Sequence, residues 1–471
     1  MLRSRLVSFS RAAPSRGLTI LSAKHYDSPH AGSQHSRTIS TKSVAAEDLH
    51  EFGAKHVTKG LGRITQGIMT KGEGSYVYYD DGRKYLDFTC GIGVTNLGHA
   101  HPKVSKAAAD QCMQLVHSQC SIAMHEPYIR LIERLLPVMP HPSLDSFFFW
   151  NSGSEAVEAA IKMARWFTGK QNIITMQGPQ HSSFHIEIQP HVHDFYPQPG
   201  VFSIPYPYWH QSNLPADTSP EALSSNSLYQ LDLLLSQQTA PSDTAAIIVE
   251  PVLGEGGYVP APPQFLQGLR EVCDKHGIIL IIDEVQCGYG RTGSWFAIEE
   301  SGVKPDILVI AKGLGNGFPI SGVVSRRELT DKLAPGSMGG TYAGNAVACA
   351  AAVACNDVFH EENVLENVNA RSKELFAALN EVKSDPSLDH HILDVRGRGL
   401  MVGVEFARGE GHPKNMAARV AKKCIEKGML ILTTSVYEVI RFIPPLNITK
   451  EDLKKGTDVF AESVREVVKE G

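Results

Sequence analysis

Short apolar runs that alternate with helix-like segments dominate the middle of the chain. The run AAIIVEPV (245–252) is followed by the helix-like segment PQFLQGLREVCDKHG (263–277), and then by the apolar runs GIILIIDEV (277–285) and DILVIAKG (306–313). Strands of this composition are buried on both faces, and strands joined by crossover helices form mainly parallel sheets. The sequence therefore predicts an α/β fold with a large domain built on a mainly parallel sheet.

The two ends of the globular part follow a different pattern. The segment YVYYDDGRKYLDF predicts a hairpin with its turn at residues 80–82. After the alanine-rich helix NAVACAAAVACNDVF come helices and the short strands GLMVGVEF, GMLILTT and VIRFIPPL. They predict a smaller α+β domain at residues 346–471, joined by an N-terminal segment at 45–104, while residues 105–345 form the large domain.

Composition narrows the class of function. Charged residues make up 20% of the 471 residues and the net charge is −5, so nothing indicates nucleic acid or a charged membrane as a partner. No apolar run has the length of a membrane span. The eight cysteines include no C-x-x-C pair, which argues against a disulfide framework and against a zinc site. Small-molecule chemistry without a bound metal is the remaining expectation.

The first 44 residues differ from the rest of the chain. Up to Ser43 they contain five arginines and ten serines, with Asp27 as their only acidic residue. A basic, serine-rich and acid-poor N-terminus is typical of a mitochondrial transit peptide. Residues 1–44 are therefore predicted to direct the protein to the mitochondrial matrix, and the alternative is a basic tail without a targeting function.

The segment Gly288–Gly293, GYGRTG, matches the G-x-G-x-x-G pattern of dinucleotide-binding loops. In such loops the first glycine ends a strand and the third opens a helix that holds the pyrophosphate. Here residues 283–287 separate the apolar run from Gly288, and the following SWFAIEESG is too short for a crossover helix. We therefore reject a dinucleotide site, and Asp283 needs another explanation.

Asp283 and Lys312 each follow an apolar run that is predicted to be a buried strand. Ligands of parallel sheets bind beyond the carboxyl ends of the strands, so both side chains are expected in one crevice. An ion pair between them would explain their presence without any function. Pyridoxal phosphate would explain them better, because it takes a lysine as its Schiff-base partner and a carboxylate on its pyridinium nitrogen.

The segment NSGSE (151–155) is a candidate phosphate site for this cofactor. It separates the apolar SFFFW from the helix-like EAVEAAIKMARW, and Ser152 and Glu155 have the spacing of a capping box. Backbone N–H groups at a helix N-terminus, together with the hydroxyl of Ser154, would bind an anion. Taken alone the string is an ordinary helix cap, and the presence of Asp283 and Lys312 favours the phosphate.

Together these motifs resemble the class III aminotransferases, a family of fold type I pyridoxal-phosphate enzymes, and among them the members similar to 4-aminobutyrate aminotransferase. The resemblance extends from about Gly60 to the C-terminus. It is carried by NSGSEAVEAAIKMAR, IVEPVLGEGGY, LIIDEVQCGYGRTG, ILVIAKGLGNGFPISGV and GGTYAGN. It implies the two-domain architecture of fold type I enzymes and identifies GYGRTG as the loop after the cofactor aspartate.

The resemblance also implies roles for four residues at the reacting end of the cofactor. Lys312 would be the Schiff-base lysine and would later move the substrate proton. Asp283 would pair with the pyridine nitrogen. Val285 would pack on one face of the ring, and Gln286 would approach the 3′-oxygen.

Charged groups of cofactor and substrate have counterparts in the same resemblance. Gly153 and Ser154 would hold the phosphate, joined by Thr341 of a second subunit, which implies a homodimer. Glu255 and Arg441 resemble the family's switch pair. The glutamate would neutralise the arginine when an ω-amino donor is bound, and would move aside when 2-oxoglutarate offers a carboxylate for bidentate binding. Without the resemblance, Arg441 reads as a surface or interdomain arginine.

One segment, residues 178–199, departs from the family pattern. Gln180 stands where an aromatic residue would stack on the cofactor ring, and Ser183 stands where an arginine would bind the carboxylate of 4-aminobutyrate. These changes predict weaker cofactor binding and question 4-aminobutyrate as the donor. A metal site or a solvated loop would each account for the histidines of this segment, and a mispredicted exon would account for all of it; the histidines are His181, His185, His191 and His193.

The sequence thus predicts a dimeric, pyridoxal-phosphate-dependent aminotransferase. It would transfer an amino group from an amine or ω-amino acid to a 2-oxo acid by a ping-pong mechanism. An α-amino-acid or decarboxylating transaminase is the alternative on the same fold. An impaired homologue acting as a binding protein is the alternative outside catalysis, and it is motivated by Gln180 and Ser183.

Overall fold

The computed structural model describes residues 49–177, 199–388, 390–434 and 436–471. The chain divides between Ile64 and Thr65 into two units, which we describe separately. In the first unit, the described residues form one helix, α1 (Leu49–His56), which buries none of its side chains. The predicted transit peptide, residues 1–44, lies outside the described part of the chain and stays a prediction.

The second unit, Thr65–Gly471, contains all the strands of the described residues. In chain order they are β1 (Met69–Glu73), β2 (Tyr76–Tyr79), β3 (Lys84–Asp87), β4 (Ser146–Trp150), β5 (Asn172–Met176), β6 (Val201–Ile204), β7 (Thr244–Val249), β8 (Val252–Leu253), β9 (Val259–Pro260), β10 (Ile279–Asp283), β11 (Ile307–Ile310), β12 (Ser321–Ser325), β13 (Ile392–Arg398), β14 (Met401–Phe406), β15 (Met429–Leu430), β16 (Leu432–Thr433) and β17 (Val439–Phe442).

The described helices of the second unit lie between these strands, except α13 (Lys450–Glu470), which follows β17. Three are short 3₁₀ turns, at Leu136–Val138, Ala297–Ser301 and Lys312–Leu314. The α-helices are α2 (Cys90–Gly93), α3 (Pro102–Cys112), α4 (Glu126–Leu135), α5 (Gly153–Thr168), α6 (Trp209–Ser212), α7 (Pro220–Gln237), α8 (Pro263–His276), α9 (Arg327–Thr330), α10 (Ala346–Glu361), α11 (Val364–Lys383), α12 (Met416–Glu426) and α13 (Lys450–Glu470).

The large sheet has seven strands in the order β4-β12-β11-β10-β7-β5-β6. Neighbouring strands from β11 to β6 are parallel, and β12 is antiparallel to both of its neighbours. Every residue of β7, β10 and β11 is buried, because one face packs on the main core and the other on a second cluster that includes α5. The predicted α/β fold with a mainly parallel sheet is confirmed.

Three smaller sheets complete the architecture of the described residues, and one of them is the two-stranded antiparallel pair β8-β9. The antiparallel sheet β13-β14-β17-β16 lies in the C-terminal part of the chain, and the sheet β1-β2-β3-β15 pairs β15 with β3 in parallel. The predicted hairpin at residues 80–82 is present between β2 and β3, where Gly82 has a φ of 82°. The domain boundaries near residues 104 and 345 stay predictions.

Candidate active site

Adjacent parallel strands bring Asp283 and Lys312 to one edge of the large sheet. Asp283 is the last residue of β10, in register with Val309 of β11, and Lys312 opens the 3₁₀ turn that follows β11. Lys312 has a left-handed φ of 45°. The turn packs closely against Asn96, since a Cβ on Gly313 would lie 2.0 Å from the side-chain nitrogen Nδ2 of Asn96. The strand-end argument made from the sequence thus placed both residues correctly.

Burial sets the protonation of this pair. It raises the pKa of Asp283 to about 6, although the N–H of Val285, which donates to Oδ1 at 2.9 Å, and the charge of Lys312 both favour the carboxylate. Burial also lowers the pKa of Lys312 to about 8, against the opposing effect of nearby carboxylates, of which Glu255 has the largest. A lysine with this pKa can release and accept a proton near neutral pH.

Glu250 is a third ionisable residue at this edge, and the sequence interpretation missed it. It directly follows β7, the neighbour of β10, and is 5% exposed. Its Oε2 accepts the N–H of Gly254 at 2.9 Å, while Oε1 has no hydrogen-bond partner among the described residues. Burial and then the charge of Asp283 raise the pKa of Glu250 to about 8. Its signal in the sequence, an acid directly after an apolar strand, is the same as that of Asp283.

Replacing Glu250 with glutamine is expected to stabilise the protein at pH 8 more than at pH 5. The folded-state pKa is raised from 4.5 to about 8, so the folded protein keeps a proton that the unfolded chain releases, and stability falls as pH rises through this window. Glutamine has no charge to bury, so the advantage of Glu250→Gln grows by up to about 1.4 kcal/mol per pH unit.

Unfolding of Glu250→Gln and of the unsubstituted protein at the two pH values measures this difference. The exposed Glu271 provides the matched control, and Glu271→Gln is expected to have the same small effect at both pH values. An advantage of Glu250→Gln that does not change with pH would contradict the expectation.

The N-terminus of α5 lies against the loop that follows β10. A Cβ on Gly153 would come within 2.9 Å of Cγ1 of Val285, so only glycine allows this approach. The predicted capping box is present: the Ser152 hydroxyl accepts the N–H of Glu155 at 3.3 Å, and the Glu155 carboxylate accepts the N–H of Ser152 at 2.8 Å. The N–H groups of Gly153 and Ser154 belong to the first turn, which lacks acceptors within the helix. The cap therefore leaves these two N–H groups for the predicted phosphate site, which stays a prediction.

Gln286 and Thr341 have contrasting environments. The side chain of Gln286 is buried, and neither atom of its carboxamide has a hydrogen-bond partner among the described residues. It lies beside Glu250, because a Cβ on Gly254 would be 3.3 Å from Cδ of Gln286 and 3.0 Å from Oε2 of Glu250. Thr341 lies on the exposed surface of the chain, and its predicted role depends on a second subunit.

Glu255 and Arg441 form an ion pair in which Arg441 is buried and Glu255 is largely buried. Arg441 lies in β17 and is 5% exposed, and Glu255 lies in the turn between β8 and β9. The alternative interpretation of Arg441 as a surface residue is therefore wrong. The pair lies near Lys312, since its two charges act on the pKa of Lys312 in opposite directions. The guanidinium carbon of Arg441 is also 5.8 Å from the centroid of the Tyr258 ring.

The GYGRTG loop has a structural role here. Turns, and not a helix, follow β10 up to the 3₁₀ turn at Ala297–Ser301. Arg291 is fully buried and donates to the carbonyls of Leu400 and Pro444 at 3.2 and 2.5 Å and to Oδ1 of Asn96 at 2.8 Å. It therefore joins three distant segments of the chain, and the rejection of a dinucleotide loop agrees with this geometry.

Parts of the predicted site lie outside the described residues. Among these parts are Gln180, Ser183 and the four histidines between residues 181 and 193. Among the described residues, no three or more His, Cys, Asp or Glu side chains lie together in a way that could hold a metal ion. No described helix combines the length and apolarity needed to cross a membrane.

Comparison with known proteins identifies the family to which this site belongs. A family model for class-III aminotransferases matches residues 60–464. The 5-aminovalerate aminotransferase DavT of Pseudomonas aeruginosa is 39% identical over 439 residues, covering 90% of this chain and 100% of that enzyme. The 4-aminobutyrate aminotransferase GabT of Escherichia coli is 35% identical, covering 88% of this chain and 97% of its own.

Solved structures agree with the family match. The omega transaminase of Pseudomonas jessenii in complex with PMP has a TM-score of 0.81 at 26% identity, covering 89% of this chain and 98% of its own. An amine transaminase of an uncultivated Pseudomonas species, in its PLP-bound form, has a TM-score of 0.79 at 26% identity. The chain belongs to the class-III aminotransferases and is a pyridoxal-phosphate-dependent enzyme of fold type I.

Proposed function

We propose that this aminotransferase transfers an amino group from an ω-amino acid, such as 5-aminovalerate or 4-aminobutyrate, to a 2-oxo acid such as 2-oxoglutarate. The observation that carries the proposal is the buried ion pair of Glu255 and Arg441 near Lys312. A 2-oxo acid has a carboxylate beside its reacting carbon and an ω-amino acid has none. A site that uses both substrates needs a cation that can be neutralised internally. The two relatives named for 5-aminovalerate and 4-aminobutyrate support this donor class.

The described residues fit the cofactor. The unpartnered carboxamide of Gln286 and the N–H groups of Gly153 and Ser154 at the start of α5 are polar groups that a bound phosphopyridine would satisfy. When bound, pyridoxal phosphate supplies an electron sink that stabilises negative charge on the substrate carbon. The residues that would hold it are Gly153, Ser154, Asp283, Val285, Gln286 and Lys312.

Three side chains then carry out the chemistry that the protein itself supplies. Lys312 moves a proton at its Nζ, which its lowered pKa permits near neutral pH. Asp283, with its Oδ1 held by the N–H of Val285, would stabilise the protonated form of the pyridine nitrogen when the cofactor is bound. Arg441 binds the carboxylate of the 2-oxo acid and orients its carbonyl carbon toward Lys312.

Glu255 makes this site serve both substrates. Burying a guanidinium without a partner is costly, so Glu255 neutralises Arg441 when the bound donor has no carboxylate there. When a 2-oxo acid binds, its carboxylate replaces that of Glu255 on the guanidinium. Since each state has one carboxylate on Arg441, the guanidinium keeps a counter-ion in both half-reactions.

The absorption spectrum of the purified enzyme tests the donor class. We expect 5-aminovalerate and 4-aminobutyrate to bleach the cofactor band in single-turnover experiments, and 2-oxoglutarate to restore it. n-Pentylamine serves as a donor without any carboxylate, and L-alanine as an α-amino acid control. A band that only the α-amino acid bleaches would reject the proposal in favour of an α-amino-acid transaminase, and release of CO₂ would favour a decarboxylating enzyme.

We also propose that the enzyme is a homodimer. Apolar side chains are largely exposed on the segment 113–124, with Met113 at 88% and Ile122 at 82%, and the ring of His117 lies 5.4 Å from that of Tyr342, which is 66% exposed. Exposed apolar surface of this kind marks protein interfaces, and Thr341 adjoins it. Sedimentation at micromolar concentration is expected to give the mass of two chains, and a single-chain mass would contradict this.

The mitochondrial matrix remains the proposed location. Its support is the arginine- and serine-rich composition of residues 1–44. A fluorescent protein fused behind these residues is expected to accumulate in mitochondria. A diffuse cytosolic signal would favour the alternative, an N-terminal tail without a targeting function.

A further inference from the structure

The turn that carries Glu255 accepts a hydrogen bond from an arginine that lies outside the predicted site. The turn connects β8 and β9, and its Gly257 carbonyl accepts the Nε–H of Arg396 at 3.0 Å. Gly257 has a φ of 123°, and a Cβ there would lie 2.9 Å from Nη2 of Arg396. The guanidinium therefore packs directly on the turn two residues from Glu255.

Arg396 is itself held in one orientation. Its Nη1 lies 2.5 Å from Oε2 of Glu405, and its Nη2 donates to the Tyr208 hydroxyl at 3.1 Å. The guanidinium also lies 5.0 Å from the centroid of the Tyr208 ring. Its Nη1 also donates to Oδ2 of Asp394 at 3.1 Å. With two carboxylates, a hydroxyl, a carbonyl and an aromatic ring around it, the side chain has little freedom to move away from the turn.

Glu405 completes this cluster, and it is almost fully buried. Besides Arg396, it accepts hydrogen bonds from the Tyr208 hydroxyl at 2.8 Å and from His210. Burial alone would raise the pKa of Glu405, but the bonds from His210 and the charge of Arg396 lower it below its ordinary value. Glu405 is thus an ionised anchor for Arg396.

The same strand connects the cluster to Arg441. Glu405 lies in β14, two residues beyond Gly403, which is the register partner of Arg441 in β17. A Cβ on Gly403 would be 3.1 Å from the Gly257 carbonyl oxygen. The turn of Glu255 therefore rests on the strand pair that carries Arg441, and Arg396 fixes the position of one against the other.

We propose that Arg396 is a positioning residue, held in place by Glu405, Tyr208 and His210. It sets the fraction of molecules in which Glu255 is paired with Arg441. It thereby sets the preference of the enzyme between ω-amino acids and 2-oxo acids. The inference rests on the proposed function, since it assigns a control to the same ion pair. A loosened turn lowers the fraction of molecules in which Glu255 lies on Arg441. The apparent affinity for ω-amino acids, which need Glu255 on Arg441, falls in proportion to that fraction. The affinity for 2-oxo acids, whose carboxylate displaces Glu255, does not fall.

Steady-state kinetics of Arg396→Gln test the role of Arg396. We expect the KM for 5-aminovalerate to rise about tenfold, which corresponds to a modest loss of preorganisation, while the KM for 2-oxoglutarate stays unchanged or falls. Since Arg396→Gln leaves Glu405 buried without its cation, the double variant Arg396→Gln/Glu405→Gln is measured beside it and is expected to show the same shift in the KM ratio. Tyr208→Phe keeps the ring and should shift the ratio in the same direction by less.

Arg398 provides the matched control, because it lies in the same strand but pairs with Glu300 at 2.8 Å. Arg398→Gln is expected to leave the KM ratio unchanged. Equal changes of both KM values in the Arg396 variants, or a loss of thermal stability without a change in the ratio, would show a purely structural role and overturn the inference. Failure of the proposed function would instead be visible in the unsubstituted enzyme, as no reaction with either ω-amino acid.

Discussion

Replacing Lys312 with alanine is expected to reduce the rate of transamination by about 10³-fold or more, the scale of a lost nucleophile and general base. Lys312 is half-buried at the carboxyl edge of the large sheet, and desolvation lowers its pKa to about 8. Its amine is therefore the group suited to move a proton there. Alanine keeps the Cβ that the left-handed turn already accommodates, and removes the rest of the side chain together with its amine. Rapid-mixing spectroscopy with 5-aminovalerate measures the rate.

Two further measurements separate lost chemistry from lost structure. The exposed Lys304 supplies the control, and Lys304→Ala should retain full activity. A small amine such as methylamine, added to Lys312→Ala, is expected to restore part of the rate, because it can accept the proton without a covalent connection to the protein. Lys312→Ala with nearly full activity in the absence of added amine would assign the proton transfer to another residue.

The large sheet could be predicted because its signal is local. Buried parallel strands are apolar throughout, so β7, β10 and β11 are evident as continuous runs. Strand order and parallel direction then place Asp283 and Lys312 at one edge without any three-dimensional information. The split of the predicted strand GMLILTT into β15 and β16 was not evident, because it follows from pairing with β3 and β17, far away in sequence.

The site divides in the same way between local and distant contacts. Glu250 follows the strand-end rule and could have been found by applying it to β7. The pairing of Glu255 with Arg441 could be expected only from the resemblance, since nothing near either residue indicates its partner. The anchoring of Gly257 by Arg396 depends on contacts among four separate segments, and no pattern in one segment predicts it.

A motif also misleads when its context is ignored. GYGRTG has the spacing of a dinucleotide loop, but its arginine is buried and donates to backbone carbonyls of distant segments. The glycines serve close packing, since a Cβ on Gly290 would lie 2.4 Å from the ring of Phe359. Position relative to the strand, and not spacing alone, distinguished the two interpretations.

Replacing Arg441 with alanine is expected to lower kcat/KM for 2-oxoglutarate by about 100-fold or more. Truncating one partner of a buried charge pair costs about 2–5 kcal/mol, and here the loss falls on the carboxylate that distinguishes the acceptor. The half-reaction with 5-aminovalerate is expected to lose less, since that donor places no carboxylate on Arg441. Single-turnover rates with each substrate measure the two effects separately.

The double variant Arg441→Ala/Glu255→Ala decides what the arginine does. In the single variant, Glu255 stays buried without its cation and repels the acceptor carboxylate, so part of the loss comes from this unpaired charge. The double variant removes that repulsion, and we expect it to use 2-oxoglutarate better than the single variant but far less well than the unsubstituted enzyme. If the double variant recovered full acceptor activity, Arg441 would serve only to neutralise Glu255, and the binding of the acceptor carboxylate would have to be assigned to another residue.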